Sequence, residues 1–103
     1  MCAFVYAMAH SVQGFGVVVR EHNKISIEKL TFKAPLPGQV RVKIHACGLC
    51  HSDVSGLTGK IPFPLPCALG HEGAGVIESV GSSESKWKVG DRVILTLVMP
   101  CGT

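Results

Sequence analysis

Residues 39–53 read QVRVKIHACGLCHSD, and this stretch decides the fold. Apolar and polar residues alternate along its first half, which is typical of a strand with one buried face. The alternation predicts that Val40, Val42, Ile44 and Ala46 point inward and that Arg41, Lys43 and His45 point outward. A C-x-x-C pair and a His-Ser-Asp sequence follow at once, so residues that carry chemistry come directly after a strand end.

Short runs of the same kind recur on both sides of this stretch, separated by glycine and proline. We predict strands at 15–20, 25–30, 39–46, 73–80 and 92–98. A short helix is predicted between Cys50 and Leu57, with Ser52 or Asp53 as its N-cap. Residues 59–66 read GKIPFPLP and predict a loop, because proline interrupts both helices and central strands. The expected fold is mainly β, a small, partly open β-barrel with one or two short helices.

Composition predicts one globular domain. The chain has 103 residues, 47% of them hydrophobic and 17% charged, which suits a folded protein better than a disordered one. A net charge of +3 is spread along the chain without a basic run, which argues against nucleic-acid binding. No apolar stretch approaches the roughly 20 residues of a membrane helix, and no basic residue precedes the apolar N-terminus as in a secretory signal. We therefore expect a cytoplasmic protein without membrane or nucleic-acid partners.

The cysteines indicate metal or catalytic chemistry rather than disulfides. There are five of them, an odd number, at positions 2, 47, 50, 67 and 101. Without a sign of secretion a disulfide framework is not expected. Cys2, Cys47 and Cys67 are expected to be packing residues, and Phe63 is expected in the core or at the lip of a substrate cleft.

The C-x-x-C pair Cys47 and Cys50 has three interpretations. A thioredoxin-like redox pair needs a βαβ context, and the surrounding pattern is β-rich. A structural zinc knuckle needs a second ligand pair at short spacing, and the sequence has no second C-x-x-C. An open metal site assembled from separated segments remains, with Cys50 and His71 as two ligands and the third not evident.

Four motifs in order carry a resemblance to a known family. They are GLCHSD at 48–53, a proline followed by GHExxG at 66–75, VG at 80–81 and VGDRV at 89–93. In these motifs the chain resembles the medium-chain zinc-dependent alcohol dehydrogenases, from Phe15 to its last residue. The resemblance implies that residues 1–103 form the N-terminal GroES-like domain of that family. It also implies that the C-terminal Rossmann domain is absent from the chain.

The resemblance implies a role for each residue of the predicted zinc site. Cys50 and His71 would be catalytic-zinc ligands, and a third, a cysteine, would lie beyond Thr103. Glu72 matches an acidic neighbour that approaches the zinc, and Asp53 matches a carboxylate that orients His71.

Three further residues take their expected roles from the same resemblance. Ser52 matches the hydroxyl that accepts the proton of the alcohol, and His51 matches a contact to the cofactor pyrophosphate. Cys101 resembles a ligand of the family's structural zinc. Ser55 departs from the animal-type enzymes, which carry a relay histidine at that position.

The expected function is the oxidation of alcohols to aldehydes or ketones, and the reverse, by hydride transfer to NAD or NADP. Zinc would be the metal cofactor, the nicotinamide cofactor would be bound mainly by the missing domain, and the full-length protein would be a homo-oligomer. We expect the isolated chain to be inactive. A non-catalytic GroES-like module that binds metal or a partner is one alternative, and a zinc-free reductase of the same superfamily is another.

Overall fold

Six strands and one helix make up the described part of the chain. The computed structural model describes residues 11–83 and 85–97. In chain order the elements are β1 (Val12–Glu21), β2 (Lys24–Phe32), β3 (Val40–Gly48), α1 (His51–Thr58), β4 (Cys67–Ala68), β5 (Glu72–Val80) and β6 (Arg92–Ile94). The prediction of a mainly β fold with a short helix is confirmed. The strands form two separate antiparallel sheets of three strands, so the described residues do not close into a barrel.

The first sheet has the order β2-β1-β4. A tight turn joins β1 to β2, and Asn23 adopts a left-handed backbone there with φ 64°, which asparagine tolerates better than most residues. The Asn23 N–H donates to the Leu57 carbonyl at 2.8 Å. This bond ties the hairpin to the end of α1.

The second sheet has the order β3-β5-β6, and irregular pairing along β3 corrects the strict alternation that we predicted. The β3–β5 register shifts between Arg41 and Val42 and again between Ile44 and Ala46. Each shift adds a residue on one strand and changes which face the following side chains point to. Ile44 and Ala46 were expected to point inward, yet both are exposed, Ile44 to 45%.

The N-cap of helix α1 lies two or three positions earlier than predicted. It is Cys50, so the expectation of Ser52 or Asp53 at that position was wrong. Asp53 instead occupies the third helical position, from which its Oδ2 accepts the Cys50 N–H at 3.1 Å. A carboxylate that reaches back in this way satisfies a backbone donor that the helix leaves unpaired. The helix ends at Thr58 and is capped by Gly59, whose left-handed backbone with φ 83° is common at helix ends.

The apolar core is small. Val18, Val19, Cys67 and Ile77 are its buried members. Packing of Cys67 is confirmed, whereas Cys47 is exposed and the expectation that it packs was wrong. Cys2 lies outside the described residues. Across residues 11–83 and 85–97, no helix is long and apolar enough to span a bilayer.

Candidate metal centre at the start of helix α1

The pairing of β3 with β5 brings three potential metal ligands together. Gly48, the last residue of β3, pairs with Glu72, the first residue of β5. Cys50 therefore lies next to the His71–Glu72 segment, although about 20 positions separate them in sequence. One ligand atom from each of Cys50, His71 and Glu72 lies within 4.8 Å of the others. Sulfur, imidazole nitrogen and carboxylate oxygen are all zinc ligands in proteins.

Cys50 is held in an environment that favours its thiolate. The Ser52 Oγ donates a hydrogen bond to the Cys50 Sγ at 3.2 Å. Hydrogen bonds from the Ser52 side chain, from its backbone and from His71 lower the pKa of the Cys50 thiol. Since the thiolate is the metal-binding form, the structure favours the form that a metal needs.

The two ring nitrogens of His71 face different groups. Nδ1 lies 3.3 Å from the Asp53 Oδ1, and Nε2 lies 3.2 Å from the Ser52 Oγ. A carboxylate accepts only, so the neutral ring carries its proton on Nδ1 and leaves the Nε2 lone pair toward Cys50 and Ser52. When the ring is protonated, Nε2–H donates instead to the Cys50 thiolate, and this hydrogen bond is the main cause that raises the pKa of His71. A bound metal would take the place of that proton. This arrangement is the one in which histidine ligates a metal through one nitrogen and is oriented through the other.

Asp53 is the buried charged residue of the described chain, 5% exposed. Its two oxygens are used separately, one near His71 and one on the Cys50 backbone. Among the described residues, no buried side-chain nitrogen or oxygen lacks a hydrogen-bond partner. The carboxylate is therefore fixed by both partners rather than by solvent.

Glu72 is exposed and reaches the cluster across the backbone of Gly48. A Cβ at Gly48 would collide with the Glu72 carboxylate. Glycine at position 48 thus leaves the space that the Glu72 side chain occupies. The sequence motif contains this glycine, but its purpose becomes visible only when Glu72 is paired opposite it.

A cavity of about 260 Å³ adjoins the cluster. Ser52, Asp53 and His71 form its polar part, and Ile61, Phe63 and Leu69 belong to its mainly apolar wall. The expectation that Phe63 lies at a cleft agrees with this position. Sequence reasoning missed Ile61, which lies within the proline-rich loop, and Leu69, which follows that loop.

Of the two remaining predicted site residues, one lies outside the ligand group and the other outside the described residues. His51 is the first residue of α1, is exposed, and is not one of the three clustered ligands. Cys101 lies outside the described residues. The structure thus brings together Cys50, Ser52, Asp53, His71 and Glu72.

Comparisons with known proteins found a matching family model and several relatives. The family model described as "Alcohol dehydrogenase GroES-like domain" matches residues 36–103. The chain is 45% identical over 78 residues to alcohol dehydrogenase class-3 of Dictyostelium discoideum. The matched region covers 75% of this chain and 21% of that protein. The chain thus spans about a fifth of the length of this curated relative.

Two solved structures are similar in fold. One is an alcohol dehydrogenase zinc-binding domain protein from Burkholderia ambifaria, with TM-score 0.77 and 38% identity over 81% of this chain and 23% of that one. The other is a zinc-binding dehydrogenase from Sinorhizobium meliloti bound to NADP, with TM-score 0.71 and 32% identity over 76% of this chain and 23% of that one.

Proposed function

The chain belongs to the alcohol dehydrogenase GroES-like domain family, and from this premise we propose that it is the zinc- and substrate-binding part of a zinc-dependent alcohol dehydrogenase. The proposed reaction is the interconversion of alcohols with aldehydes or ketones by hydride transfer to NAD or NADP. The observation that carries the proposal is the cluster of Cys50, His71 and Glu72 beside a cavity that Ser52 lines. The nicotinamide cofactor would be bound mainly by sequence outside this chain.

The donor set fits zinc better than it fits magnesium or calcium. Thiolate and imidazole select zinc over magnesium and calcium, which prefer oxygen ligands. A catalytic zinc takes three protein ligands and keeps a position open for substrate. Cys50 and His71 would hold it, with Glu72 as an adjacent acid or third ligand until a further cysteine contributes. When bound, zinc acts as a Lewis acid that lowers the pKa of a hydroxyl in contact with it.

Ser52 is the proposed proton acceptor for the substrate hydroxyl. Its Oγ lies 3.2 Å from both the Cys50 Sγ and the His71 Nε2, and it lines the cavity. A hydroxyl group both accepts and donates, so Ser52 can take the proton of the alcohol while it passes its own to water. Asp53 keeps His71 in the tautomer and orientation that leave Nε2 available.

His51 is the proposed contact to the pyrophosphate of the cofactor. It is exposed at the first position of α1, where backbone N–H groups and the helix dipole also favour an anion. Cys101 is proposed as a structural-zinc ligand in the full-length protein. We also propose that the full-length protein is a homo-oligomer and is located in the cytoplasm.

Metal binding by the 103-residue chain tests the proposal. We expect the chain to take up zinc and to show thiolate-to-metal absorption when cobalt replaces it. Cys50→Ala and His71→Ala should each abolish stoichiometric uptake at this site, because each removes a ligand. Cys47→Ala is the matched control, since it removes an exposed thiol three positions away that lies outside the ligand group. A chain that takes up no metal, or a Cys50→Ala variant that binds cobalt as the unsubstituted chain does, would contradict the proposal.

A further inference from the structure

The ring of Phe63 packs directly on a glycine in helix α1. Gly56 is buried within the helix, and a Cβ built on it would lie 2.6 Å from both Cδ2 and Cε2 of Phe63. Such a distance is well inside van der Waals contact, so the ring cannot keep its position if residue 56 carries a side chain. Glycine at position 56 therefore allows the ring to pack closely against the helix.

The backbone does not require glycine at position 56. The residue lies within α1, in an ordinary helical conformation. Glycine is the least favourable helix residue after proline, because it loses the most backbone entropy. Its presence inside a short helix therefore needs a packing reason, and contact with the Phe63 ring provides one.

The loop that carries Phe63 is tied to the same helix. The Ile61 N–H donates to the Ser55 carbonyl at 3.1 Å, and the Phe63 N–H donates to the Ile61 carbonyl at 2.9 Å. Because the backbone is held in this way, the ring can answer a change at Gly56 mainly by moving away from the helix. Phe63 also lines the cavity, together with Ser52 and His71.

From this contact we infer that Gly56 sets the size of substrate that the cavity accepts, by letting the Phe63 ring recede into the helix surface. Gly56 is a positioning residue, and Phe63 is the wall that limits the apolar part of the substrate. This inference rests on the proposed function for the identity of the substrate as an alcohol. The lining contains no lysine or arginine among the described residues, which favours an uncharged alcohol with an apolar body.

A series of unbranched primary alcohols from ethanol to hexanol tests the inference. Binding to the zinc-loaded 103-residue chain is followed by NMR chemical-shift changes. In the unsubstituted chain, each added methylene should strengthen binding by roughly fourfold until the cavity is full. In Gly56→Ala, the cavity should be full with a shorter alcohol. Hexanol should then bind about tenfold more weakly or worse, while ethanol binding should be nearly unchanged.

Three further variants separate this role from a merely structural one. Phe63→Ala should move the limit to a longer alcohol. Gly56→Ala combined with Phe63→Ala should behave as Phe63→Ala alone, because the ring through which Gly56 acts is gone. Val54→Ala changes an exposed residue of the same helix that does not line the cavity, and should leave the series unchanged.

An unsubstituted chain that binds no alcohol of the series overturns the inference, as does a chain-length dependence that Gly56→Ala and Phe63→Ala both leave unaltered. If Gly56→Ala does not fold but its combination with Phe63→Ala does, the ring is what excludes a side chain at position 56, and Phe63→Ala then tests the size limit. A double variant that also fails to fold would contradict the inference. Zinc content is measured on the same samples. If the variants change the longest alcohol that the cavity accepts although the samples contain no zinc, the proposed function is refuted and the inference stands.

Discussion

The Asp53 Oδ1 lies 3.3 Å from the His71 Nδ1, across 18 positions of sequence. The other oxygen of the same carboxylate accepts the Cys50 N–H at the start of α1. One buried side chain thereby fixes the helix start and the orientation of the histidine at once. The two proposed metal ligands depend on each other through Asp53.

We expect Asp53→Asn to weaken zinc binding by roughly 10- to 100-fold, the usual cost of changing a residue that orients a metal ligand. Asparagine keeps one acceptor oxygen and replaces the other with an N–H₂ group, so it cannot serve both Cys50 and His71 as a carboxylate does. Competition with a chelator measures the affinity, and circular dichroism checks the fold. Asp91→Asn is the matched control, because the Asp91 carboxylate likewise accepts a backbone N–H, from Lys88, but away from the cluster. Equal affinities for the two variants would argue against an orienting role.

Gly48→Ala is expected to displace the Glu72 side chain, since the new methyl group would collide with that carboxylate. If Glu72 contributes to the metal site, Gly48→Ala and Glu72→Ala should weaken zinc binding to a similar degree. The double variant should then be no weaker than Glu72→Ala, because both changes remove one interaction. Chelator competition provides all three affinities. Additive losses would show that Gly48 acts on something other than Glu72.

The sequence predicted the parts of this fold that are specified locally. The end of β3 and the start of α1 lie within one continuous stretch, and Cys50, His71 and their neighbours stand in motifs that can be recognised without a structure. Strand β4 was missed because its two residues, Cys67 and Ala68, form a strand only through pairing with β1. The register shifts along β3 were missed for the same reason, since a shift is a property of two paired strands.

Contacts between segments were likewise beyond prediction. The expected N-cap failed because Asp53 reaches back to Cys50 from inside the helix rather than standing at its start. The packing of Phe63 on Gly56 left one trace in the sequence, a glycine inside a predicted helix. Such a glycine signals a packing or functional reason without saying what packs there.

The ion pair between Arg20 and Glu28 gives a pH dependence to stability. The hydrogen bond from Arg20 is the main cause that lowers the pKa of Glu28 from 4.5 to about 2, and one from Ser26 adds to it. A carboxyl whose pKa is lower in the folded state stabilises the fold above its unfolded pKa, and this contribution disappears as pH falls through the folded value. The melting temperature should therefore exceed that of Glu28→Gln by a constant small amount above pH 5, and the difference should shrink between pH 4.5 and about 2.

A variant of Arg20, the ion-pair partner of Glu28, is the control for the melting-temperature comparison. Arg20→Gln should abolish most of the pH-dependent difference, because it removes the main cause of the lowered pKa. High salt should reduce the difference as well, since both side chains are solvent-accessible and screened. A difference between wild type and Glu28→Gln that persists unchanged below pH 2 would assign the effect to packing instead.

The small core makes stability depend on a few side chains, and Ile77 is the clearest case. It lies in β5, 1% exposed, and its backbone also bonds to the turn before β6 through Asp91 and Gly90. Ile77→Ala should lower the free energy of unfolding by about 2–5 kcal/mol, the usual cost of truncating a buried isoleucine. The free energy of unfolding of a domain is about 5–15 kcal/mol in total, so the midpoint of urea denaturation should fall strongly.

Ile27→Ala is the control. It removes the same atoms from a residue that is 77% exposed, and should change the free energy of unfolding by no more than about 0.5 kcal/mol. Equal losses for the two variants would mean that β2 is covered in solution and that Ile77 is not the centre of the core.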